Sequence, residues 1–449
     1  MIKYSSLAVV AMTAGLVANA HAVDLLGVYE LAQSHDAELL AAEQQLRAAG
    51  EIPRQARASL LPSISASAGR DIGESQTDIA GMRIDSSDSD TENFGISLRQ
   101  TIYDDANYGR LKRGRAELNA AEARYEAAWQ DFLLRVSQRY FDVLTALDSV
   151  RFARAEETAL KRQFEQAEQR FEVGLSAVTD VHEARAVYDA ARARVISVEN
   201  QFEDAREALR EVAGNWFENF ARLIEEVPLY RPEPDDVQEW VAMALEFNPE
   251  VLAQRAQVDV AQADVRIARA GHLPTLELSG GYSRFINNEW IGRDPATQQP
   301  ITSAELENTG WNLGVTLSVP LFQGFAVQSR RRQAGFSLSA ADQTLSQTER
   351  AVVRQTENAF RAIVAGMRQV EARRQALVSA QSALEATNAG FEVGTRTIVD
   401  VLQSEQRLFQ AERDYSEARH QFILSQLQLN RAAGGLEEAD LERINQLLR

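Results

Sequence analysis

The polar residues most suited to chemistry come twice in this chain. RFEVGLSAVTDV runs from Arg170 to Val181, and GFEVGTRTIVDV runs from Gly390 to Val401. Between Phe171 and Val181 the second copy keeps six of eleven residues: Phe, Glu, Val, Gly, Asp and Val. Thr179 and Asp180 stand beside the first glycine, and Arg396 stands at the matching turn of the second, ahead of Asp400. These types suit ion pairing and hydrogen bonding rather than bond making. Nothing else in the chain supplies a catalyst. It has no cysteine, which excludes disulfides, thiolate metal sites and cysteine nucleophiles. G-x-S-x-G, P-loop and H-E-x-x-H patterns are missing. The histidines at 21, 35, 182, 272 and 420 lack ligand-like spacing, and His182-Glu183 reads as a helix-surface pair. No two acids stand out as a catalytic pair. The sequence points away from an enzyme and calls for no cofactor or metal.

The 449 residues carry a formal charge of -18. That balance disfavours nucleic acid, whose phosphates Lys and Arg must neutralise. The opening MIKYSSLAVVAMTAGLVANAHA reads as an export signal: Lys3, an apolar run from Leu7 to Ala18, and the small-x-small site Ala20-His21-Ala22. Cleavage would fall after residue 22. No later segment is long and apolar enough to span a bilayer as a helix.

The turns are one part of a repeat that covers the chain. Glu38 aligns with Glu250 and Pro62 with Pro274, so that LLPSISASAG matches HLPTLELSGG. NFGISL at Asn93 matches NLGVTL at Asn312, and the register then holds to Gly214 and Gly434. Two halves, 23–226 and 237–449, share one plan. The joint, VPLYRPEPDD at 227–236, holds three of the ten prolines and reads as a stiff linker.

Each half opens on a helix-rich stretch, 24–58 in the first. Alternation then marks β-hairpins at about 60–103 and 274–322. Trp311, Leu313, Val315, Leu317 and Val319 keep one phase against Asn312, Gly314, Thr316 and Ser318. The joining segments 71–93 and 283–310 read as loops, the first acidic and solvent-facing. Tyr103, Tyr282, Phe285, Trp290, Trp311 and Phe322 cluster near strand ends, as in interfacial girdles. Long helices follow. From Asp104 to Val173 an unbroken helix would run about 105 Å. Gly174 and Gly394 are placed to end these helices, and returning helices run on to Gly214 and Gly434. They carry heptad stripes. One is Val181, Tyr188, Val195, Phe202 and Leu209; the other is Val401, Leu408, Tyr415, Phe422 and Leu429. Small residues lie three positions on, a coiled-coil pattern with close backbones.

Helices alone would fit a soluble periplasmic coiled-coil scaffold or adaptor. The strands argue otherwise. A membrane barrel must close, and the smallest have about eight strands, whereas one chain supplies four. Three chains would give twelve strands, with room for a channel, and a ring of twelve helices. The expected object is mainly α with a β-hairpin part: a trimeric 12-stranded barrel continued by a 12-helix α-barrel.

At FEVGLSAVTDVHEARAVYD (171–189), FEVGTRTIVDVLQ (391–403) and VPLFQG (319–324) the chain resembles the TolC family of outer-membrane export ducts, over about 24–440. The resemblance implies a homotrimer in the outer membrane of a Gram-negative bacterium, extending into the periplasm. It implies docking of a periplasmic adaptor (membrane fusion protein) and an inner-membrane pump of ABC, RND or similar type. The cargo would be drugs and other small molecules, or secreted proteins. It also implies a gate at the helical turns, where Arg396 would bond the Thr179 and Asp180 positions of a neighbouring hairpin. A planar guanidinium fork suits that task. Phe391 stands where some members carry a tyrosine that helps this latch. Asp400 matches an acidic ring facing the lumen, which would favour cations. Gln403 stands where some members have a second aspartate.

Overall fold

The computed structural model describes residues 22–79, 82–293 and 300–449; residues 1–21, most of the expected export signal, lie outside them. The chain divides into two compact units. One comprises Met1–Ala41, Ala127–Asn248 and Val352–Arg449, the other Ala42–Glu126 and Pro249–Ala351.

The helix-rich stretch 24–58 forms three helices, α1 (Leu25–His35), α2 (Ala37–Gly50) and α3 (Ile52–Ala58). An aspartate bounds each end of the first helix, and the second makes the break. Asp24 caps α1 by accepting from Gly27 N–H, and Asp36 leaves the helical conformation to accept from Leu39 N–H at 2.7 Å. The second half repeats the device. Asp236 caps α6 (Val237–Phe247), and Asn248 ends it ahead of α7 (Pro249–Ala270).

The second unit holds one antiparallel sheet in the order β1-β2-β3-β4, built from Ser63–Ile79, Met82–Tyr103, Thr275–Arg293 and Pro300–Ser318. The strands run well past the lengths expected. Residues 71–79 and 82–93, read from their acidity as a loop, continue the β1–β2 ladder, as 283–293 and 300–310 continue β3–β4. Polar cross-strand pairs sustain the extension where apolar alternation fades. Arg70 pairs with Asp90 at 2.7 Å, and Asn93 Nδ2 donates to Asp71 at 3.2 Å. Below the sheet, α4 (Asp105–Glu172) begins against α7, and α8 (Ala326–Glu392) follows β4. Gly109 lets α4 approach, since a Cβ there would meet Ile267 at 2.7 Å.

The first unit is helical. Its largest buried side chains include Tyr140, Phe132, Phe141, Leu133 and Phe422. The Tyr140 hydroxyl donates to the Ala221 carbonyl at 2.7 Å. The returning helices are α5 (Val178–Ala213) and α9 (Ile398–Ala433). Gly214 and Gly434, both left-handed, cap them. Both helices carry a heptad stripe, but α9 is the more deeply buried and carries Glu405, Arg419 and His420 out of solvent. The 227–236 joint has neither helix nor strand, and Trp240 Nε1 donates to the Pro234 carbonyl at 2.8 Å.

Candidate channel gate and membrane face

The two turns share one backbone design. Each long helix ends on a glycine at φ +79, Gly174 or Gly394. In the first, Leu175 N–H bonds the Arg170 carbonyl at 2.8 Å and Gly174 N–H bonds Phe171 at 2.9 Å. In the second, Thr395 bonds Gly390 at 2.8 Å and Gly394 bonds Phe391 at 3.1 Å. This double bond is the Schellman closure, which needs a left-handed residue and so favours glycine.

The side chains then part company. Thr397 caps α9: its hydroxyl accepts from Asp400 N–H at 3.3 Å, and Asp400 Oδ2 accepts from Thr397 N–H at 2.9 Å and from its hydroxyl at 2.9 Å. These bonds, the backbone one first and then the hydroxyl, together with the Arg396 charge, hold the Asp400 carboxyl below its ordinary 3.8. The first copy has Ala177 at the capping position, and no side chain caps α5. Asp180 accepts from Ser176 Oγ at 2.8 Å instead. Thr179 is exposed on the first turn of α5.

Arg396 is exposed beside the second turn. Gly390 makes space for it, because a Cβ there would meet Arg396 Cγ at 2.8 Å. No hydrogen bond or ion pair joins Arg396 to Thr179 or Asp180 within the chain. Phe391 packs on a cluster that unites both hairpins: Leu160, Ala167, Ala184, Ala191, Ile398 and Leu402. Arg170, where the second copy has Gly390, lays its guanidinium over the Phe391 ring at 4.7 Å, a cation–π contact between hairpins. Gln403 is exposed and accepts from Arg407 at 3.5 Å.

Sequence reasoning missed a ladder of buried polar pairs between α4 and α9. The Thr145 hydroxyl donates to the Phe141 carbonyl at 2.8 Å and shares a hydrogen bond with His420 Nδ1 at 2.8 Å. Burial pushes the His420 pKa down to about 4. Ser416 donates to Asp148, Arg413 pairs with Glu156 at 3.0 Å, and Gln163 donates to Glu405 at 3.0 Å. The signal was present as helical periodicity. Positions 145, 148, 156 and 163 share a face of one helix, and 405, 413, 416 and 420 share a face of the other. Taken singly, each such residue has the pattern of a solvated helix surface.

In the other unit the sheet has two unlike faces. Register aligns Ile64, Leu98, Gly280 and Leu313 in one row across all four strands, and Ala66, Ile96, Tyr282 and Trp311 in a second. Alternation puts these rows on one face. Leu313, Val315, Leu317 and Val319 are all more than half exposed, and Trp311 is 80% exposed. The other face reads Ser65, Ser97, Gly281 and Asn312, then Ser63, Arg99, Ser279 and Gly314. Arg99 pairs there with Glu277 at 3.1 Å. Of the expected girdle, Tyr103, Tyr282, Phe285, Trp311 and Phe322 are exposed, while the Trp290 side chain lies outside the described residues. Among the described residues no helix is long and apolar enough to cross a membrane, and no cluster of acids and histidines could hold a metal.

Comparison with known proteins agrees with this geometry. The sequence profile described as "Outer membrane efflux protein" matches residues 28–215 and again 240–435. Outer membrane protein TolC of Vibrio cholerae is 39% identical over 94% of this chain and 93% of its own length. Alkaline protease secretion protein AprF of Pseudomonas aeruginosa is 28% identical over 95% of this chain and 87% of its own. The crystal structure of VceC, an outer membrane protein of Vibrio cholerae, superposes with a TM-score of 0.74 at 20% identity, covering 92% of this chain and 97% of that one. These likenesses set aside the soluble-scaffold reading: the chain belongs to the outer membrane efflux protein family and is an outer-membrane export channel.

Proposed function

We propose that three copies close a twelve-stranded barrel in the outer membrane. In this assembly the helical turns form a periplasmic gate that opens when an adaptor and an inner-membrane pump engage. One observation carries the reading. The sheet has an apolar face and a small, polar face, and among the described residues its edge strands β1 and β4 each pair with one neighbour only. A strand edge in lipid leaves backbone groups unsatisfied at several kcal/mol each. Neighbouring copies must therefore supply the missing ladders. Three chains put the polar face around a channel wide enough for cargo, where two would fill it with side chains. The first 22 residues serve as the export signal, and the repeats 23–226 and 237–449 each give the ring one strand hairpin and one helical hairpin.

At the gate, Arg396 is held for Thr179 and Asp180 of a neighbouring copy. Such a wet pair is worth under about 1 kcal/mol, and several around a ring make a latch that docking can open. The three Asp400 carboxylates, ionised by their caps, ring the lumen and favour cations. Gln403 leaves that ring without a second acidic tier. Single-channel conductance in a planar bilayer tests both parts. The wild type should conduct weakly, and Arg396→Ala should conduct several-fold more. Equal conductances would remove Arg396 from the gate, and no channel from either protein would remove the barrel.

A further inference from the structure

The last rung of the α4–α9 ladder leaves two buried acceptors without a donor. Glu405 is 7% exposed. Its Oε1 accepts from Gln163 Nε2 at 3.0 Å, while its Oε2 and the Gln163 Oε1 are buried without any hydrogen-bond partner. Both are acceptors, so nothing in the pair can join them. A proton on Glu405 supplies the missing donor: Oε2–H to the amide oxygen, beside the existing Nε2–H to Oε1, gives the cyclic acid–amide pair. Buried acceptors left unsatisfied destabilise the packed state.

The surrounding charges do not remove this need. From α4, Glu156 faces Glu405 and adds a like charge. The cations nearby are engaged by Glu156, Arg413 of α9 at 3.0 Å and Arg194 of α5 at 3.9 Å. α8 contributes the neutral Thr387 hydroxyl, which accepts from Ser404 at 3.3 Å. Burial first, and Glu156 second, push the Glu405 carboxyl above its ordinary 4.5, against the Gln163 bond. The place matters as much as the chemistry. Gln163 lies between Leu160 and Ala167, and Glu405 follows Leu402. All three apolar residues belong to the cluster that joins the two hairpins.

We propose that Glu405 and Gln163 form a proton-operated catch between the two helical hairpins of one chain. With Glu405 protonated the pair is complete and the hairpins stay packed. With Glu405 ionised, the carboxylate gains by reaching water, which the hairpins allow only by separating. The sign follows from linkage: a raised carboxyl favours the packed state fully below its ordinary 4.5 and loses that advantage as pH rises through the raised value. The inference rests on the reading that the hairpins part to open the channel. It adds the proton as a ligand of that transition.

The chain has no cysteine, so two can be introduced at exposed tip positions, Leu175→Cys and Val393→Cys, and spin-labelled. The full protein in detergent is followed from about pH 4.5 to 8. Wild type should shift toward the longer label distance as pH rises, by at most about tenfold in population per pH unit for one proton. Glu405→Gln, permanently neutral and still able to pair with Gln163, should keep the short distance throughout. Glu412→Gln is the control, because the Glu412 carboxyl is also raised by burial and lies on the same helix; it should follow the wild type. A pH-independent wild type, or a Glu405→Gln profile that matches it, overturns the catch. Conductance over the same pH series separates the two readings. If distances move and conductance does not, the catch stands and the gate reading fails.

Discussion

At the residue scale, the two turns show how one design diverges through single positions. Thr397 and Ala177 occupy the same place in the repeat, yet only Thr397 can cap a helix. Its loss in Thr397→Ala should cost about 1 kcal/mol. Hydrogen exchange in the first turn of α9 should then quicken about fivefold, while Ala177→Thr should slow exchange in α5. Unchanged rates in both would show that the caps contribute nothing in the assembled channel. The cap also fixes the acidity of Asp400. Its depressed carboxyl keeps the cap intact at all pH values above the ordinary 3.8, and protonation breaks it only as pH falls through the lower folded value. Arg170 and Gly390 form a second such divergence. Arginine at the first position reaches the ring of Phe391, and glycine at the second clears a path for Arg396. Neither consequence was legible, because each depends on which hairpin the side chain meets.

At the element scale, helix ends were legible and helix partners were not. The glycines at 174, 214, 394 and 434 mark ends in the sequence, and all four take left-handed backbone. The same residue type serves two purposes, however. At Gly394 an added Cβ would have nothing within 4 Å, whereas at Gly434 it would lie 2.6 Å from Asn248 Cα and from the Phe247 carbonyl. Gly394→Ala should therefore cost only the left-handed penalty of about 1–2 kcal/mol. Gly434→Ala adds a clash with backbone, which cannot swing aside, and should cost at least about twice as much. Thermal inactivation of the two variants checks this, and equal losses would count against the close approach. Strand length was misread for a related reason. Acidity marks solvent and gives the 71–93 segment the look of a loop, but a ladder needs only paired backbone and suitable cross-strand neighbours. The buried pairs of α4 and α9 escaped notice because a polar stripe at helical spacing has the same appearance whether it faces water or another stripe.

At the scale of the whole molecule, the sheet explains why a chain of charge -18, with no helix among the described residues long and apolar enough to cross a bilayer, belongs in a membrane. Period-two alternation halves the apolar content of each strand, so mean hydropathy stays low while one face is continuous. That makes neighbouring residues energetically unlike. Leu313 lies in the apolar row with Ile64, Leu98 and Gly280; Asn312 lies in the polar row with Ser65, Ser97 and Gly281. Leu313→Arg places a charge toward lipid and should cost up to about 2–4 kcal/mol if the row lies near mid-bilayer depth. It should lower the yield of assembled trimer in outer-membrane fractions several-fold. Asn312→Arg puts the same charge toward the channel, where water solvates it. Assembly should be retained, and conductance and cation preference should fall as three added charges meet the permeating ions. The opposite pattern, with Leu313→Arg assembling normally and Asn312→Arg failing, would mean that the faces are reversed. The polar face would then have to lie against lipid, at a desolvation cost that no pairing visible in this sheet offsets.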